Sequence, residues 1–152
     1  MLADFEGTTA CYTNVIDLIN AFRSNGVRFD IERAKILYLY QPKKRIHPLL
    51  LNPDANDGWY FHVVVFYRGR IYDRDFSGRP AVPRIGAYFQ RMFPEKRFLR
   101  VREIAASDYL RDYDQIKGVT YFGYRFYWGG EEQGVEAIYP SVSLRTYLAS
   151  ER

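Results

Sequence analysis

The sequence predicts an α+β domain built on an antiparallel sheet, and three observations carry that expectation. An amphipathic helical stretch comes before any strand-like segment. Most later segments are short and rich in β-branched and aromatic residues. Two of them, within "HVVVFYRGRIYDRDF" (62–76), are separated only by Arg68-Gly69, the spacing of a tight hairpin. A helix followed mainly by strands, without alternating β-α-β units, fits an α+β fold rather than a parallel sheet. At 152 residues and 47% hydrophobic, the chain is long enough for one substantial core and reads as a single domain, 1–152.

The first helix is predicted over "TTACYTNVIDLINAFRS" (8–24), capped by Thr8 or Thr9 and stopped by Asn25-Gly26. Cys11, Val15, Leu18 and Phe22 fall on one face, with Ile19 beside them, so the cysteine points inward from the first turn. "AKILYLY" (34–40) reads as a strand, and 41–58, with its prolines and "NPDANDG", as a long loop. The hairpin arms follow at about 59–67 and 70–76. "PRIGAYFQRMF" (83–93) is predicted to be a short helix with Pro83 at its start and Pro94 after its end. "RFLRVREI" (97–104) alternates as a strand, and "SDYLRDY" (107–113) forms a helical turn capped by Ser107. Two further strands are expected, "VTYFGYRFYW" (119–128) and "GVEAIY" (134–139), before a closing helix over "SVSLRTYLAS" (141–150).

Composition excludes several function classes. No run approaches 18 apolar residues, so no membrane-spanning helix is expected. The N-terminus lacks a basic region followed by an apolar run, which argues against a classical secretory signal and for a cytoplasmic location, with an effector exported by a route needing no such signal as the alternative. Cys11 is the only cysteine, so neither an internal disulfide nor a four-thiolate zinc site can form. The formal charge of +4 invites a nucleic-acid reading, but the basic residues are scattered among acids, and "PKKRIH" (42–47) is the one short basic run. "KGVTYFGY" (117–124) echoes an RNA-binding signature in its Lys-Gly start and aromatics, then departs from it at Val119 and Thr120. A non-catalytic RNA-binding module is therefore the weaker rival. It would show an affinity for single strands that falls steeply with salt.

The chemistry gathers on the hairpin. With a two-residue turn at 68–69, paired positions sum to 137, so Val64 faces Asp73 and His62 faces Asp75, with Asp73 on the diagonal. All lie on one side of the ribbon, because side chains alternate with period two. A carboxylate there can orient the imidazole, fix its tautomer and stabilise its cation. Cys11, in the first turn of a helix, would feel the positive end of the helix dipole, which favours the thiolate. Backbone N–H groups at that helix start are ready donors to an oxyanion. Helix-borne Cys, strand-borne His and then Asp is the chain order of papain-like transglutaminases and deamidases.

With those residues identified, the chain resembles the protein N-terminal glutamine amidohydrolase family, papain-like enzymes that convert an N-terminal Gln to Glu. The resemblance rests on Cys11-Tyr12, on "WYFHVVV" (59–65) with its Trp, two residues, then His-Val-Val, on "IYDRD" (71–75), and on "FLRVREIAASDYLRDY" (98–113). A weaker match is "GVEAIYPSVSL" (134–144). A proline-rich segment of the family is replaced here by "YFGYRFYWGGEEQ" (121–133), and the loop after Asp75 also differs. The resemblance implies a papain-like core and a triad of Cys11 as nucleophile, His62 as base and acid, and Asp73, rather than Asp75, as the orienting carboxylate. It implies no cofactor or metal, and as partner a glutamine-bearing protein or peptide, acted on by a monomer. Asp75 is then a candidate acceptor for a substrate ammonium, with Tyr12 and Trp59 as candidate pocket walls. Deamidation of internal glutamine, or acyl transfer to an amine, would use the same three groups.

Overall fold

The computed structural model describes residues 14–25, 28–42, 44–51, 61–93, 96–111 and 140–151. The expected cap at Thr8 or Thr9, Cys11, Tyr12, Trp59 and the strands at 119–128 and 134–139 lie outside the described residues.

Helix α1 occupies 14–24 of the described chain. Strands β1 (Lys35–Tyr40), β2 (Phe61–Tyr67) and β3 (Arg70–Tyr72) follow, then helix α2 (Ile85–Met92), β4 (Arg100–Ala105), α3 (Ala106–Arg111), β5 (Ser141–Ser143) and α4 (Leu144–Ser150). The described strands form one antiparallel sheet in the order β3-β2-β1-β4-β5, so the chain is α+β.

Both faces of the sheet are covered. Val15 and Ile19 of α1 and Tyr109 of α3 pack on one face, against Ile36, Tyr38, Val63 and Val65. Tyr88, Phe89 and Met92 of α2 and Leu144 and Tyr147 of α4 pack on the other, against Leu37, Leu39, Val64 and Ile71. The double cover explains why β2, "FHVVVFY", is buried at every position rather than at alternate ones. Burying each of its three valines contributes about 1.5–3 kcal/mol, which makes β2 the anchor of the sheet. It also means that any polar side chain on β2 is taken out of water and must be partnered.

The hairpin turn is the two-residue turn expected at Arg68-Gly69. Arg68 and Gly69 have φ of 51° and 79°, the doubly left-handed turn whose twist suits a two-residue hairpin. Val65 pairs with Tyr72, Phe66 with Ile71 and Tyr67 with Arg70, so pairs sum to 137 as expected. The second arm, however, is shorter than the expected 70–76 and ends at Tyr72. Asp73 ends it, because its own Oδ1 accepts the Asp75 backbone N–H at 2.9 Å and its carbonyl accepts that of Phe76 at 3.1 Å. Two other boundaries differ for similar local reasons. Helix α2 begins after Pro83, whose carbonyl is engaged by the Ile71 N–H at 2.9 Å. The last helix begins only at Leu144, because Ser141–Ser143 pairs with β4 and Ser143 then caps the helix, its Oγ accepting the Thr146 N–H at 3.1 Å. Ser107, expected as a cap, lies inside α3.

Candidate active site

His62 and Asp73 meet at the end of the sheet where β3 stops. His62 is the second residue of β2 and shares the alternating face of Val64, toward α2. Its Nε2 lies 2.9 Å from Asp73 Oδ2, and the two side chains are each only 3% exposed. Asp75, placed opposite His62 by continuing the ladder count, does not make this bond, since the ladder has already ended.

The Asp73 carboxylate is held by more than the histidine. Tyr88, from α2, donates its O–H to the same Oδ2 at 2.6 Å. Helix α2 is fixed against β3 at that point, with the Ile85 N–H on the Gly69 carbonyl at 3.0 Å and the Ile71 N–H on Pro83. The Tyr88 ring is buried edge-on against Phe76, Phe89 and Phe93. Nothing in the sequence reading singled out Tyr88. Its signal was the helical face Tyr88-Phe89-Met92, which reads as pure core unless the hydroxyl's need for a buried acceptor is considered.

Burial alone would raise the Asp73 pKa. The positive charge of His62 and the hydrogen bonds from His62, Tyr88 and the Asp75 N–H outweigh it and hold the carboxyl below the ordinary range. An ionised carboxylate only accepts hydrogen bonds, so Nε2 carries the proton and Nδ1 is the ring nitrogen whose protonation can change. The neighbouring acid behaves oppositely. Burial, and then the Asp73 charge, raise the Asp75 pKa, with His62 offsetting them in part. Burial and the adjacent Asp73 charge also push the Tyr88 phenol well above its usual value, so it remains a donor.

A small cavity of about 10 Å³ adjoins this cluster. It is lined by His62, Asp73 and Asp75 and by Asn14, Val15 and Leu18 from the first described turns of α1. An ion pair between Arg74 and Asp17, at 3.8 Å, joins the same turn to α1, but both partners are substantially exposed and it contributes little. Thus residues of the first described turns of α1 border the same small cavity as His62 and Asp73, although the two side chains sit on the α2 face of the sheet.

One nitrogen or oxygen from each of His62, Asp73 and Asp75 lies within 4.8 Å of the others, a donor set that a divalent cation could use. Nε2 of His62 and Oδ2 of Asp73 are already bonded to each other, and Tyr88 donates to that oxygen. A cation bound through those two atoms would have to displace both contacts. Among the described residues no helix is long and apolar enough to cross a membrane. No protein-family model matches this chain, and no curated protein sequence matches it significantly.

Proposed function

We propose that this chain is a papain-like thiol amidohydrolase that converts glutamine to glutamate, acting on glutamine at a polypeptide N-terminus. The observation that carries the reading is the buried His62–Asp73 pair, facing a cavity bordered by the start of α1. Two further facts support it. Three peptide units separate Cys11 from Asn14, a reach of at most about 11 Å, so the only thiol of the chain is tethered close to a residue that lines this cavity. The side of the imidazole turned to Asp73 is Nε2, so in this reading Nδ1 is the nitrogen that exchanges protons with a thiol.

In this mechanism Nδ1 takes the Cys11 proton, and Asp73 stabilises the imidazolium through Nε2. The thiolate attacks the carboxamide carbon, the carbonyl oxygen becomes an oxyanion, and backbone N–H groups stabilise it. Collapse breaks the C–N bond, and His62 returns the proton to the leaving nitrogen, which departs as ammonia. A thioester remains. His62 then deprotonates water, which attacks the thioester carbon, and glutamate and the thiol are released. Asp75, half-buried beside the dyad, supplies the acceptor for the α-ammonium of an N-terminal glutamine. A cation there would offset the burial, and the lesser effect of the Asp73 charge, that now raise its pKa.

The test is ammonia release from matched peptides with N-terminal Gln, N-terminal Asn or internal Gln, using the intact chain and its Cys11→Ala variant. Release from the first peptide, abolished by Cys11→Ala, is expected. Equal release from internal Gln would move the reading to a protein-glutaminase. No release from any peptide, or undiminished release by Cys11→Ala, would overturn it.

A further inference from the structure

The end of the sheet that carries His62 also carries a second, larger concavity of about 360 Å³. Gln41 and Lys44, just beyond β1, border it on one side, and Arg97, Phe98 and Arg100, at the start of β4, on the other. Its described lining contains three cations and no carboxylate. Lys44 and Arg97 are exposed, and no carboxylate among the described residues pairs with either of them or with Arg100. Arg100 is held in place instead, its guanidinium on the Ser141 carbonyl at 2.8 Å. Phe98 is 49% exposed, an unusual position for so large an apolar ring, and it orders the other two cations. The Arg97 guanidinium lies 4.5 Å from its centroid and the Lys44 ammonium 5.9 Å.

The register relates this groove to the candidate active site. Leu39 pairs with His62, and Tyr40 pairs with both Phe61 and Arg100, so Gln41 and Arg100 lie at the same sheet end as the dyad. From β2 to β4 is two strand spacings, roughly 10 Å, or about three residues of extended chain.

We infer that this basic groove docks an acidic segment of the substrate polypeptide, with carboxylates about three to five residues C-terminal to the reacting glutamine. The occupant follows from charge complementarity: among the described residues the groove's cations have no counter-charges, and carboxylate side chains on an extended chain can reach it while the glutamine is at His62. Arg97 already covers part of the Phe98 ring, the platform that a nucleobase would need for stacking, which favours an acidic peptide over single-stranded RNA. Naming the occupant as substrate rests on the amidohydrolase reading, but the binding of acidic peptide does not.

The test has two arms, each with the intact chain and with a Lys44→Glu/Arg97→Glu double variant, whose changes are on exposed side chains. In the first, a fluorescein-labelled peptide rich in glutamate and free of glutamine is titrated by anisotropy at low and physiological salt. Saturable binding that weakens with salt, and roughly five- to tenfold in the double variant, is expected. In the second, Gln-initiated peptides carrying Glu or Ser at positions 4 and 5 are compared. The acidic peptide should show a lower KM at similar kcat, and the double variant should erase the difference. Absence of peptide binding, or binding indifferent to the double variant, overturns the inference. So does tighter, variant-sensitive binding of a single-stranded RNA of equal charge. If peptide binding behaves as expected while no peptide releases ammonia, the groove stands and the amidohydrolase reading fails.

Discussion

Replacing Tyr88 by Phe removes a single oxygen atom from the interior and tests how Asp73 is held. The ring's contacts with Phe76, Phe89 and Phe93 are preserved in the variant, so no cavity of consequence is created. What is lost is a 2.6 Å hydrogen bond from a buried phenol to an ionised carboxylate. Bonds of that type contribute about 1.5–3 kcal/mol. Asp73 retains His62 on the same oxygen and the Asp75 N–H on the other, so the carboxylate is not left bare, and the lower end of the range, about 1.5–2 kcal/mol, applies. At two to four degrees per kcal/mol for a chain of this size, Tm should fall by about 3–8 °C at pH 7. The loss must also depend on pH. The folded-state pKa of Asp73 is depressed, so its stabilisation is present above the unfolded carboxylate pKa and is lost as pH falls through the folded value. Since Tyr88 is one cause of that depression, the difference between variant and parent should shrink as the pH is lowered from 7 toward 3. Urea unfolding of both proteins across that range measures it. A difference that stays constant with pH, or one below about 0.5 kcal/mol at pH 7, would refute the claim that Tyr88 stabilises a charged Asp73.

Exchanging the two acids for their amides separates their roles. Asp73→Asn should lower ammonia release, because an amide does not stabilise the His62 cation as an ionised carboxylate does, while it can still orient the ring; undiminished release would show that the Asp73 charge has no part in the reaction. Asp75→Asn should instead raise KM for N-terminal Gln, and it should slightly stabilise the fold at neutral pH. The Asp75 pKa is raised in the folded state, so its favourable contribution is complete below the unfolded value and is lost as pH rises through the folded one. After discounting for its exposure, the gain at pH 7 is no more than about 0.5 kcal/mol and should vanish below about pH 4. A variant less stable than the parent at pH 7 would contradict this. Gly69→Ala should destabilise by about 1 kcal/mol in a urea titration: a Cβ there meets nothing within 4 Å, so only the backbone cost at φ 79° remains. No loss at all would mean that the turn is not left-handed at this residue.

Much of this fold was legible because local signals agreed with one another. "RG" between two apolar runs specified a two-residue turn, and the turn specified a register that the observed pairs follow. The reading had no means of reporting what a segment's neighbours do to it. "RFLRVREI" reads as a strand and is one from Arg100 onward, but its pattern does not disclose how Arg102 is housed. Arg102 is 2% exposed, its guanidinium 5.1 Å from the Tyr40 ring and 5.6 Å from that of Tyr38, because helices cover both faces of the sheet. Tyr88 escaped notice for a related reason. It lies in a segment read only as a short helix, and periodicity has no means of reporting what a buried hydroxyl donates to.

The choice between Asp73 and Asp75 shows a more general limit. Counting along a ladder assumes that the strand continues, and here the first aspartate ends the strand by capping its own turn. The termination has a chemical consequence. Asp73 stays under α2, where Tyr88 and His62 can both reach one oxygen, whereas Asp75 is left half-buried beside the cavity. Two carboxyl groups two residues apart thus have pKa values moved in opposite directions, one lowered by donors and a cation, the other raised by burial and by its neighbour's charge. Such a separation lets one acid serve as a permanent anion that orients a base while the other waits for a cationic partner. Desolvation opposes the burial of Asp73, and the arrangement persists because the hydrogen bonds of His62 and Tyr88 more than offset it.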